Sequence, residues 1–107
     1  MTFENLLEQI QSIPCEEKRT REENYCEVVF SKPNMSQVNA VLEACFGPPL
    51  KSEGKTPTPE AAQYSKPYGG VQGNQVLYHR KSDNRDEIAM LWPWGNGTSV
   101  TLKMIRC

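Results

Sequence analysis

Three strand-like runs crowd the last third of the chain, and the short links between them constrain the fold more than any other feature. "QVLYHRK" (75–81) is followed by Ser-Asp-Asn-Arg-Asp, "EIAMLW" (87–92) by Pro93 and a Gly-Asn-Gly turn, and "TSVTLKMIR" (98–106) completes the set. Links this short join antiparallel neighbours, because a parallel connection needs a crossover of about a dozen residues. In the last run Val100, Leu102 and Met104 alternate with Thr101, Lys103 and Ile105. In the middle run Ile88, Met90 and Trp92 share one face and Ala89 and Leu91 the other, so the larger set is expected beneath a layer of helices.

Two helices precede this meander. Thr2 is a good N-cap, Glu4 suits the first turn, and Phe3, Leu6, Leu7, Ile10 and Ile13 recur at three- and four-residue spacing until Pro14. The charged run "CEEKRTREEN" (15–24) reads as a solvated loop. "YCEVVF" (25–30) is β-branched and aromatic, as a strand requires. A second helix begins at Asn34 or Ser36, carries the stripe Val38, Val41, Leu42, Cys45 and Phe46, and stops at Gly47-Pro48-Pro49.

Residues 48–74 contain five of the eight prolines and four of the seven glycines. A connection this long is either functional or disordered in an ordinary domain. Within it, Thr58, Pro59 and Glu60 open a pattern that fits one short helix over "TPEAAQY".

The expectation is an α+β fold with two helices packed on one face of a four-stranded, mainly antiparallel sheet. The element order is α-β-α-(long loop)-β-β-β, in one domain spanning residues 1–107. The other face of the sheet should be partly wet. Charge is uneven: residues 1–53 hold nine acids and five bases (−4), and residues 54–107 hold four acids and seven bases (+3). That division suits two attracting halves of one small fold. The net charge of −1 supplies no drive toward nucleic acid or membrane.

The N-terminus lacks a basic segment and a long apolar run, so neither a leader nor a span is expected and the chain reads as cytoplasmic. The matches at Asn34-Met35-Ser36 and Asn96-Gly97-Thr98 are then chance occurrences of a glycosylation pattern. Cysteines at 15, 26, 45 and 107 contain no C-x-x-C. Cys26 and Cys45 read as small buried hydrophobes and Cys107 as an exposed thiol.

No strong catalytic or metal pattern is present, and no cofactor is expected. His79 is the one histidine, and Asp86 or Glu87 across the hairpin could orient it as a general acid or base. No nucleophile accompanies it, and a strand histidine at a partly exposed position is the plainer reading. One histidine and scattered cysteines argue against a tetrahedral metal site. "GGVQGN" (69–74) superficially resembles a phosphate-cradling loop, but those loops open helices and this one precedes a strand. "YHRK" with Lys103 and Arg106 offers too few bases for a nucleic-acid surface. "KTPTPE" reads as a stiff loop before it reads as a proline-rich ligand.

There remain the aromatics. Pro93 must end or bulge its strand, which makes Trp92 a core residue and Trp94 a partly exposed one beside the turn. Tyr64, Tyr68 and Tyr78 lie in or just after the long loop. With His79, Arg80 and Trp94 they compose the expected binding surface of a small non-enzymatic module, at the 54–74 loop and the 92–97 turn. Its partner would be another protein or a small apolar molecule. The plainer alternative is that the tyrosines pin the loop to the sheet. A small enzyme using His79 in a loop-covered pocket is the competing functional reading, and a homodimer through sheet edges or the wet face is a third.

Overall fold

A computed structural model describes residues 2–106; Cys107, expected as an exposed thiol, lies outside them. Helix α1 spans Phe3–Ser12, and its first turn is closed by Thr2, whose hydroxyl accepts from the Asn5 amide at 3.0 Å. Two strands follow, β1 (Glu17–Arg21) and β2 (Tyr25–Ser31), then α2 (Met35–Phe46) and α3 (Pro59–Ser65). The meander is β3 (Val76–Ser82), β4 (Arg85–Pro93) and β5 (Ser99–Arg106). The sheet has five strands in the order β1-β2-β5-β4-β3, every neighbouring pair antiparallel. The chain is thus α+β with three helices and five strands; the expected layout of two helices on four strands gains β1 and the short helix that "TPEAAQY" suggested within the long loop.

The extra strand is β1, "EKRTR", within the run read as a solvated loop. It has no apolar residue, so nothing in its pattern marks a strand. It pairs with β2 through a register irregularity between Lys18 and Thr20. Charge and a bulge are how sheet edges avoid joining other chains. The extra helix is α3, where Thr58 accepts from the Ala61 amide at 3.1 Å and Pro59 takes the first helical position. The β3–β4 hairpin closes in two residues, Asp83 and Asn84, both at positive φ, the geometry of a type I′ turn.

Both faces of the sheet carry a core. On one face α1 and α2 bury Phe3, Leu6, Ile10, Val38 and Leu42 against Cys26, Val28, Phe30, Ala89, Leu91, Leu102 and Met104. On the other, the 48–74 segment folds back over β3 and β4, packing Ala61 and Val71, with Leu50, Tyr64 and Tyr68, against Leu77, Ile88, Met90, Trp92 and Ile105. This inverts the expected facing of β4: Ile88, Met90 and Trp92 lie under the folded-over segment, and the smaller Ala89 and Leu91 meet the helices. Where that segment does not reach, over β1, β2 and part of β5, this face is mixed: Glu27 and Lys103 are half-buried, while Val29 and Thr101 are buried. Cys26 is buried as expected, Cys15 and Cys45 are half-buried, and all three are free thiols.

The neck of the folded-over segment is tied at Lys51. Its backbone exchanges two hydrogen bonds with Leu77, on the outer edge of β3, at 3.0 and 3.1 Å. Its buried ammonium donates to the carbonyls of Gly73 and Gln75 at 2.7 and 2.6 Å. Gly54 adds a bond from its amide to the Gly73 carbonyl. A lysine this deep is tolerated because its donors find carbonyls. Among the described residues, no helix is long and apolar enough to cross a membrane.

Candidate functional site

The six residues nominated from sequence do not form one surface. Strand alternation divides them, because Tyr78 and Arg80 point to the helix-covered face and His79 to the other. Tyr78 is buried beside Phe46, ring centroids 5.9 Å apart, and is not available to a partner. Arg80 pairs with the buried Glu87 and lies over the Phe46 ring. Tyr78 belongs to the core, and Arg80 is half-buried at its edge. Burial pushes the Tyr78 phenol above its ordinary value.

On the opposite face the segment brings Tyr64 onto His79, the rings stacked at 4.0 Å and 19°. His79 Nε2 lies 3.0 Å from an Asp86 carboxylate oxygen, so the orienting carboxylate considered from sequence is in place. Tyr68 lies in the same layer, half-buried against the second core. Gly69, at φ 101°, follows it and sits so close to Trp92 that a Cβ there would meet the indole at 3.0 Å. These contacts pin the segment to the sheet.

Trp94 stands apart from the tyrosines. Among the described residues it is the large hydrophobic one that is exposed, 37% accessible. Its indole N–H donates to the Thr101 hydroxyl at 2.7 Å, and the Arg19 guanidinium lies over its ring. Lys103 lies over Trp92 in the same manner, 3.7 Å from the ring centroid. Both tryptophans lie on the sheet face away from α1 and α2, Trp92 packed under the folded-over segment and Trp94 exposed, each with a cation over its ring.

An open cleft of about 330 Å³ lies at the end of the sheet where the neck of the folded segment meets the 92–97 turn. Its floor is apolar, made by Val76, Leu91, Pro93 and Val100 with Met35 at the start of α2. Its rim is polar: Lys32 and Asn39 on the α2 side, Glu53 and Asn74 from the neck, Ser99 and Trp94 from the strand ends. The Ser99 wall is fixed from behind, since its hydroxyl donates to Glu16 at 2.8 Å and Ser31 donates to the other oxygen of that carboxylate. The turn is ordered by Asn96, whose side-chain oxygen accepts from the amides of Thr98 and Ser99. Of the nominated residues only Trp94 borders this cleft. The others that line it carried no local sequence signal, because each comes from a different element.

Among the described residues, no three His, Cys, Asp or Glu side chains are grouped to hold a metal ion. No protein-family model, curated protein or solved structure matches the chain.

Proposed function

We propose that this protein is a non-enzymatic binding module that takes a small, mainly apolar molecule in the cleft between the start of α2, the neck of the 48–74 segment and the 92–97 turn. The observation that carries this reading is the cleft itself. Its volume of about 330 Å³ falls at the small end of ligand sites, and an apolar floor with a few polar rim groups is the usual composition of such sites. The proline- and glycine-rich segment supplies one wall, which accounts for its length in a compact fold.

The competing enzyme reading rests on the His79–Asp86 contact. Three features speak against it. Tyr64 covers the imidazole face, Asp86 occupies Nε2, and His79 does not line the cleft. A general base needs a substrate within hydrogen-bond reach.

The test is a titration of isotope-labelled protein with isoamyl alcohol and with indole, followed by amide chemical shifts. Shifts should concentrate at Met35, Val76, Leu91 and Val100, and Asn39→Trp, which plugs the cleft from α2, should suppress them. Shifts scattered over the surface, or unchanged by the plug, would refute the reading.

A further inference from the structure

The rim of the cleft is electrically polarised. Lys32 stands on the wall that leads into α2, and Glu53 on the wall made by the neck of the folded segment. Both side chains are exposed, and neither is in an ion pair among the described residues. The first turn of α2 carries no acid to offset its positive end, so the field on that wall has the sign of Lys32. Between the two walls runs the apolar floor of Val76, Leu91 and Val100.

Resting on the binding reading above, we infer that the ligand is a zwitterion with an apolar body: an aliphatic amino acid or a short apolar peptide. Its carboxylate lies toward Lys32, its ammonium toward Glu53, and its side chain on the floor. A neutral apolar molecule would use the floor, leave Lys32 unanswered and leave Glu53 with only the Lys51 charge of the neck. A purely anionic ligand would meet Glu53, and a purely cationic one Lys32. Only a molecule carrying both signs around an apolar body complements all three parts of the cleft. The size of the cleft limits that body to one or two residues. The amides of Asn39 and Asn74, on the same two walls, can donate to and accept from a peptide group.

The experiment compares L-leucine, L-leucyl-L-leucine, N-acetyl-leucinamide and isoamyl alcohol by amide shift titration of the full chain. Both zwitterions are expected to bind more tightly than the two neutral probes, by about fivefold for each rim contact, the upper range for exposed charge pairs. Whether leucine or the dipeptide is tighter distinguishes the two forms of the ligand. Lys32→Gln and Glu53→Gln alter exposed side chains and should leave the fold intact. Each should weaken zwitterion binding about fivefold and leave isoamyl alcohol unaffected. Isoamyl alcohol binding as tightly as both zwitterions, or a preference that survives both substitutions, overturns the zwitterion and leaves the apolar cleft standing. No shift at cleft residues with any of the four probes removes both.

Discussion

The Tyr64 ring lies flat on the His79 imidazole, centroids 4.0 Å apart, and this stack joins the middle of the proline-rich segment to the edge strand β3. An aromatic pair of this kind contributes about 0.5–1.5 kcal/mol beyond the area it buries. Tyr64→Ala should therefore destabilise the segment by about 1–2 kcal/mol while leaving the helix-covered core untouched. Hydrogen exchange checks it: amides of α3 should exchange faster, and those of α1 and α2 should not. Equal acceleration throughout would mean that the segment is no separate layer.

Gly69 holds the second contact of the same layer. At φ 101° an L side chain is strained, and its Cβ would press on Trp92 at 3.0 Å. Gly69→Ala should lower stability by roughly 1–2 kcal/mol from the dihedral alone, with the steric contact added. Urea denaturation of Gly69→Ala and of Gly69→Ala/Trp92→Phe separates the two. The smaller ring should restore the steric part and leave the dihedral part. A variant as stable as the parent would show that the segment can shift at no cost.

Much of this arrangement is legible in the sequence. The start of α1 at Thr2, the stop of α2 at Gly47, the cap at Thr58 and the hairpin at Asp83-Asn84 are all set by local chemistry, and local chemistry is what a sequence displays. The facing of β4 is not local. "EIAMLW" is apolar on both faces, the pattern of a strand buried on both sides. Which face meets the helices depends on where residues 48–74 go. Leu50, Ala61, Tyr64, Tyr68 and Val71 are too widely spaced there to announce a second core. Strand β1 was hidden because an exposed edge needs no apolar residue. The cleft gathers single residues from several elements, so no stretch of sequence contains it.

Stability should fall in alkali. Burial raises the thiol of Cys26 above its ordinary 9.0 and the phenol of Tyr78 above its ordinary 10.0. Tyr25 moves the same way, through burial and then through its hydrogen bond to Glu27. For such groups the unfolded chain releases its proton first. Their contribution is complete below the unfolded values and is lost as pH climbs from about 9 toward the raised folded values. Lys51 acts in the opposite sense: burial lowers its ammonium, so the cost of keeping it charged disappears on the way to 10.5. Burial raises the Cys45 thiol as well, so four acids against one base leave a net loss. Urea midpoints at pH 8, 9.5 and 10.5 should decline, less steeply in Cys26→Ala. Absorbance at 295 nm should show two tyrosines ionising late. Midpoints that rise over this range would contradict the assignment.

The Arg80–Glu87 pair lies between β3 and β4 on the helix-covered side, with Glu87 only 2% accessible. Arg80 also reaches the Cys45 carbonyl at 3.5 Å, one of the acceptors left open at the end of α2, while its Nη2 is buried without an acceptor among the described residues. An ion pair so placed carries a desolvation cost that its attraction only offsets, so removing one partner is worse than removing both. Glu87→Leu leaves a buried guanidinium unpaired and should cost about 3–5 kcal/mol. Arg80→Met should cost at least as much, because it leaves unpaired the Glu87 carboxylate, the less accessible of the two charges. The double variant Arg80→Met/Glu87→Leu should recover most of the loss, giving a coupling energy of roughly 2 kcal/mol or more in a double-mutant cycle. Additive single losses would mean that the pair holds the α2 end to the sheet by packing alone, with the charges contributing nothing to that junction.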